Sequence, residues 1–491
     1  MKDLILRKGM WVFGSNLARA LTRLGSVAIL ARLVSPSDYG IYGAAFIILS
    51  FGFSVSDVGI GPSLIQLPEL DRRHISTGYT ISLLIGLALS VLLFVTAEAM
   101  SDLLNVPESA AILRLFALVV PLKSLTTVTE SLLKRDLRVE TLAMIDYGSF
   151  LFGSVLVAIV LAYLGFGYWA LALGFLAGHV AKTAYLLAKS DHVIRPGYDA
   201  SSARALVSKG IGFTVAKLFN HVALRGDSFI ISRYVGAGAL GIYNRAYRIM
   251  DLSNALVGRT LDTLLFPVFS RHQGDRALLR RAHRRSTLMS GLVFMPLGVS
   301  LSLVSKEVVL TVLGSQWVEV IPVLTVLALG VFFRIGHKFY GAINRALGHV
   351  VAVSIYQFVN AVVVVYGAYL VQAEHGILGV AYVILGALVL QYLLQSIGAA
   401  IALQERVVEY LRVHGPGLAV AALNFTLSLP LLAGLRAVGG PPVVVCGYGL
   451  YVALFFFAIL QLPERFVGED LYQLRRELGG RLRSAVGRSN G

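Results

Sequence analysis

Residues 209–235 read KGIGFTVAKLFNHVALRGDSFIISRYV, an apolar stretch in which Lys217, His221 and Arg225 recur every four residues. Residues four apart share one face of an α-helix. At about 1.5 Å of rise per residue the stretch is roughly 40 Å long, enough to cross a tilted bilayer. The cationic stripe therefore falls near the bilayer midplane. A charge at that depth costs between about 3 and more than 10 kcal/mol, and such residues face a wet cavity or a partner. The stretch predicts a membrane helix bordering a cavity that receives an anion.

The rest of the chain has the composition such a helix requires. Of 491 residues, 56% are apolar and 14% charged, with mean hydropathy +0.75. A soluble domain of this length would be about a quarter charged, so the fold class is an all-α polytopic membrane protein. Apolar segments of spanning length fall at 10–33, 39–65, 77–99, 110–133, 141–164, 166–188, 209–234, 239–266, 287–306, 318–343, 350–371, 375–402, 415–435 and 441–462, fourteen in all. The first is too long for a signal-peptide core and has no small-residue cleavage site. Cys446 is the single cysteine, which excludes a disulfide framework and a cysteine metal site. HExxH, GxSxG and phosphate-cradling loops are absent, the loops are short, and neither cofactor, metal nor nucleic-acid partner is expected.

Lys and Arg are unevenly divided between alternate loops. One set, which includes both termini, carries 27; the other carries three, Arg233, Lys306 and Arg436. Positive loops face the cytoplasm, so both termini are expected there, in a bacterial inner membrane. The tail PERFVGEDLYQLRRELGGRLRSAVGRSNG spaces Phe466, Leu471, Leu474 and Leu478 helically among six arginines. It reads as an amphipathic helix on anionic lipid, or as a solvated basic tail.

An internal repeat sits at an offset of 201 residues. ARLVSPSDYGIYGAAF (31–46) aligns with SRYVGAGALGIYNRAY (232–247), matching Arg32, Val34, Gly40, Ile41, Tyr42 and Ala45 to Arg233, Val235, Gly241, Ile242, Tyr243 and Ala246. Six helices per unit is an even number, so the two units share one topology and are related by a pseudo-twofold along the membrane normal. The expected organisation is an N-lobe (1–200), a C-lobe (201–405), two extra helices (406–462) and the tail (463–491).

Charges in the first segment sit at nearly matching places. Arg19 and Arg23 are four apart, and His221 and Arg225 map by the offset to positions 20 and 24. The tenth segment adds Arg334, His337 and Lys338, and segments four and six offer Lys123, His179 and Lys182. Two readings stay open. Arg19, Arg23, Lys217, His221, Arg225, Arg334 and Lys338 can line a vestibule for a diphosphate, since guanidinium forks bind phosphate oxygens bidentately. Alternatively each cation caps a carbonyl, pairs with an acid or snorkels to an interface. Arg32 and Arg233, at outer helix ends, suit carbonyl capping, and Arg245, Arg248 and Asp251 suit an internal ion pair. Asp57, in SDVGIGP where the helix can bend, is a hinge or coupling candidate together with Asp227 and Asp251.

ILARLVSPSDYGIYG, SVSDVGIGPSLIQ, and GALGIYNRAYRIMDL followed by LFPVFSRHQGD resemble bacterial polysaccharide transporters. These belong to the multidrug/oligosaccharidyl-lipid/polysaccharide exporter superfamily, and the likeness extends over most of segments 1–12. The resemblance implies an alternating-access flippase for undecaprenyl-diphosphate-linked oligosaccharide repeat units. It implies no enzymatic activity. Its partners would be the lipid-linked substrate, membrane lipids and polysaccharide-biosynthesis proteins such as a polymerase. It would place the diphosphate on Arg19, Arg23, Lys217, Arg225 and Arg334. The competing readings are an organic-cation antiporter, which wants a carboxylate-rich cavity, and a membrane polymerase or ligase, which wants a sizeable outer loop.

Overall fold

The computed structural model describes residues 22–23, 25–56, 59–67, 69–136, 138–188, 197–253, 269–270 and 274–461, without the side chains of 66, 139, 208–220, 222–224, 253, 350, 407, 411 and 460. Arg19, Asp57 and the basic tail lie outside the described residues, as does the Lys217 side chain. Among the described residues the secondary structure is helical, with no strand. Ten of the described helices are long and apolar enough to cross a membrane. Every predicted segment coincides with helix over most of its described residues. One of the ten, Val350–Ala402, runs through segments eleven and twelve and breaks only at Gly376 (φ 53°).

Local chemistry fixes the helix ends. Ser35 and Asp38 form a reciprocal cap on Pro36–Ser56: the Asp38 amide donates to Ser35 Oγ at 3.1 Å, and the Ser35 amide to Asp38 Oδ2 at 3.3 Å. Proline at the first helical position has no amide to leave orphaned. The second segment holds the helices Pro36–Ser56 and Ile60–Gln66, and Gly59, just ahead of the latter, has a left-handed φ of 65°. It lies in SDVGIGP, where the sequence allows a bend. Asp199 caps the long helix Ala200–Tyr234 by accepting from the Ser202 amide at 2.8 Å.

The chain divides into two compact units, 1–245 with 361–380, and 246–360 with 381–491. The packing boundary at 245/246 lies beyond the repeat boundary at 200/201, because the Ala200–Tyr234 helix packs on Pro36–Ser56, Ile60–Gln66 and Arg72–Val95 in the first unit. Kinship of sequence and partition of contacts are separate properties here.

Within the first unit the two copies of the repeat motif touch reciprocally. A Cβ on Gly40 would fall at least 1 Å inside a 3.0 Å approach to the Ala237 carbonyl, and one on Gly241 would do the same to the Pro36 carbonyl. Position 237 is 36 plus the repeat offset, and 241 is 40 plus the same offset. Gly43 faces its own equivalent, Asn244, whose amide nitrogen lies 3.0 Å from the Cβ position. A twofold axis between two equivalent helices demands these crossed pairs and this self-contact. Small residues let the backbones approach this closely. Beside the contact, Arg245 stacks on the Tyr39 ring, 3.4 Å from its centroid.

Candidate functional site

In the first unit, the Ala200–Tyr234 helix turns His221 and Arg225 toward Pro36–Ser56. His221 Nε2 is 3.4 Å from Ser50 Oγ and its ring meets Phe51 edge-on at 5.9 Å. One turn on, Arg225 lies over the Phe46 ring at 5.6 Å. Both residues are half-buried. An aromatic face fixes the plane of a guanidinium lying over it. Arg23 has the same kind of seat, 5.6 Å over Phe150, and is exposed; the adjacent Thr22 bonds the Tyr147 hydroxyl at 2.8 Å. Arg23 and Arg225 each lie over a phenylalanine, though Phe150 and Phe46 are not equivalent under the repeat.

Asp227 is buried, accepting from the Tyr243 hydroxyl and the Ser228 amide. It ties Ala200–Tyr234 to Ala237–Ser253 through the tyrosine of the repeat motif. Arg233 donates to the Asp102 carbonyl at 2.7 Å, the capping expected of an outer helix end.

Three helices of the first unit, Val119–Arg135, Val139–Phe150 and Tyr168–Ala188, meet in a charged network. Lys182 Nζ is 2.7 Å from both Glu130 Oε1 and Asp146 Oδ1, and Lys123 Nζ is 3.0 Å from Glu130 Oε1. Two lysines therefore face two carboxylates, and the acid-pairing reading holds for Lys123 and Lys182. The His179 ring packs at a tilt against Phe175, centroids 4.6 Å apart, one turn from Lys182. The Asp146 side chain is 43% exposed within a predominantly apolar helix. Partnered charge of this kind can border a hydrated cavity at far lower cost than a lone ion.

In the second unit, Arg334 Nε donates to Asp251 Oδ1 at 2.7 Å and its guanidinium lies 5.0 Å from the Tyr247 ring. Lys338, one turn further along Val331–Ala346, is half-buried. Arg334 and Asp251, placed by sequence on different segments and given different roles, meet directly. Among the described candidates, Arg23, His221, Arg225 and Asp227 belong to the first unit, and Arg334, Lys338 and Asp251 to the second.

Sequence reasoning missed one polar cluster in the second unit. The Arg276–Leu303 helix grips the 403–406 connection and the start of Val407–Val438: Arg280 donates to the Leu403 carbonyl at 2.9 Å, and Arg284 pairs with Glu409. Behind them His283 and Glu405 have side chains 1% and 0% exposed, with Nδ1 and Oε2 2.9 Å apart. The only sequence signal was the spacing of Arg280, His283, Arg284 and Thr287 on one helix face, against an acid-bearing connection.

The helix count, the apolar surfaces and the twofold contact define an all-helical multi-pass membrane protein. Residues 29–322 match the family described as "Polysaccharide biosynthesis protein", and the chain belongs to it. The succinoglycan biosynthesis transport protein ExoT of Rhizobium meliloti is 29% identical over 62% of this chain and 61% of its own length. The lipopolysaccharide biosynthesis protein WzxC of Escherichia coli is 25% identical over 62% of each chain. This chain thus spans less than two thirds of either relative. Among solved structures, the lipid II flippase MurJ in an inward closed conformation matches with TM-score 0.72, 13% identity, 92% of this chain and all of that one. An inward-facing multidrug-resistance transporter of the MATE family matches with TM-score 0.61, 16% identity, and 82% and 98% coverage. At those identities the likeness is one of fold.

Proposed function

We propose that this chain is a flippase. It moves undecaprenyl-diphosphate-linked oligosaccharide units from the inner to the outer leaflet of a bacterial inner membrane, for exopolysaccharide or lipopolysaccharide synthesis. Membership of the polysaccharide-biosynthesis family carries the reading, and ExoT, named as a transport protein, is the relative that points to translocation. Both termini lie in the cytoplasm, on the side of the arginine-rich loops. The lobes 1–200 and 201–405 rock about the repeat axis in alternating access, with Asp57 in the segment that bends. Arg19, Arg23, Lys217, His221 and Arg225, with Arg334 and Lys338, hold the diphosphate while the polyprenyl chain stays in lipid.

The seating of Arg23 and Arg225 on phenylalanine rings supports their part in this. A ring fixes the plane of the guanidinium that would meet a diphosphate. Arg334 acts differently, exchanging Asp251 for substrate. Replacing Arg225 or Arg23 with Ala should abolish polymer export at unchanged membrane abundance. Normal export from both variants would remove the diphosphate site.

A further inference from the structure

Behind the His283–Glu405 pair runs a continuous chain of hydrogen bonds, confined to the second unit. Thr287 Oγ1 is 2.8 Å from the Tyr340 hydroxyl, which is 3.0 Å from that of Tyr392, which is 2.6 Å from His414 Nε2. Each end is anchored to a carbonyl. Thr287 can donate to the His283 carbonyl at 2.9 Å, and His414 Nδ1 lies 2.9 Å from the Tyr410 carbonyl. The chain crosses four helices, and Thr287, Tyr340 and Tyr392 are buried.

This chain can be satisfied in two directions. A carbonyl only accepts, so His414 Nδ1 carries a proton in either case. With His414 neutral, Nε2 accepts from Tyr392, Tyr392 from Tyr340, and Tyr340 from Thr287. With His414 protonated at Nε2, that nitrogen donates to Tyr392, Tyr392 to Tyr340, Tyr340 to Thr287, and Thr287 to the His283 carbonyl. One proton gained at Nε2 reverses three hydroxyls, and every O–H keeps a partner throughout. A buried hydroxyl without a partner costs about 1–3 kcal/mol, so a chain complete in both directions is the economical way to hold His414 in two protonation states.

Beside this chain, the His283–Glu405 pair adjoins partly exposed groups. The side chains of Arg284 and Glu409 are 35% and 39% exposed, and Arg284 Nε is 3.5 Å from the wholly buried Glu405 Oε1. Both nitrogens of His283 and both oxygens of Glu405 lack a hydrogen bond. At 2.9 Å the pair is within ion-pair range but out of line for a bond. The His283 ring lies 5.1 Å from Tyr340 and 6.3 Å from Tyr410. The ionisable groups around the pair are Arg280 and Arg284 on its own helix, Glu405 on the connection, Tyr340 and Tyr392 on their two helices, and Glu409, Tyr410 and His414 on Val407–Val438.

We propose that this column is a proton-binding site. His283 and Glu405 receive a proton from the surface past Arg284 and Glu409, and His414 is the inner group that holds one by reversing the tyrosine chain. As a coupling site for transport it rests on the flippase reading, but proton binding itself can be measured with no substrate present.

The test is infrared difference spectroscopy of the full chain in lipid nanodiscs, with the buffer switched between pH 8 and pH 5. The wild type should show imidazole bands and tyrosine C–O–H bands changing with one common midpoint. In His414→Gln that tyrosine response should be lost while circular dichroism remains that of the wild type. The conservative Tyr392→Phe should keep the imidazole change and lose the coupled tyrosine change. Glu405→Gln should shift the midpoint of the His283 component. Tyrosine bands indifferent to pH in the wild type, or a His414→Gln spectrum superimposable on it, would overturn the proposal.

Discussion

The reciprocal contact between Gly40 and Gly241 makes a prediction whose size can be worked from the structure. Gly40→Ala places a methyl at least 1 Å inside the 3.0 Å limit against the Ala237 carbonyl, and Gly241→Ala does so against the Pro36 carbonyl. The obstacle in each case is backbone, which cannot rotate aside as a side-chain tip would. The two helices must part by about 1 Å, and a gap of that size forfeits roughly a quarter to a half of the dispersion energy of the atoms facing it. Overpacking of this kind costs about 1–3 kcal/mol, and a backbone obstacle puts each variant near 3 kcal/mol. At about 2.1 cal/mol/K of unfolding entropy per residue, a chain of 491 residues shifts by about 1 °C per kcal/mol, so the Tm should fall by about 3 °C. The double variant should lose less than the sum, because either methyl alone forces the same separation. Gly238→Ala, on the same helix with open space around it, should be neutral or gain a few tenths of a kcal/mol. Thermal unfolding of the full chain in nanodiscs, followed by tryptophan fluorescence, reads all four. Wild-type Tm in Gly40→Ala, or strict additivity in the double variant, would refute the crossing.

Lys182→Met should destabilise by about 3 kcal/mol, since it leaves Asp146 without its lysine and Glu130 with one of two. Lys123→Met should cost less, because its side chain is more exposed and Glu130 keeps Lys182; the opposite order in denaturation would contradict the network. The carboxyl of Asp199 is held down at about 2 by hydrogen bonds from Ser201 and Ser202. A depressed native value stabilises above the ordinary carboxylate range and is lost as pH falls through the native value. Amide exchange at Ser202 should therefore keep its cap protection from pH 8 to pH 4 in the wild type, and show none in Asp199→Ala. A cysteine at position 274, with Cys446→Ser, should be labelled by an impermeant reagent only from the cytoplasmic side; labelling from outside would reverse the orientation.

The helices were legible in the sequence because a bilayer demands about twenty apolar residues per crossing, a constraint each segment carries alone. The twofold was legible because the motif GIY survives in both copies. Side-chain pairing was not. Lys182, Glu130 and Asp146 sit on three helices whose adjacency no spacing encodes, and an excess of cations counted along the chain missed that Lys123 and Lys182 are answered by carboxylates. The same holds for Arg334 with Asp251. The irregular backbone at Gly59 falls in the stretch where the sequence allowed a bend, because proline and glycine act locally. His283, Glu405 and His414 escaped notice because each is unremarkable on its own segment, and only packing brings the two histidines and two tyrosines together.

The most direct measurement is translocation itself. Proteoliposomes carrying the purified chain, with a fluorescent undecaprenyl-diphosphate oligosaccharide in one leaflet, report movement as loss of signal to an impermeant quencher. Movement should run well above that in protein-free liposomes and be lost in Arg225→Ala at equal reconstitution. Wild-type protein no faster than empty liposomes, or Arg225→Ala as fast as wild type, would contradict it.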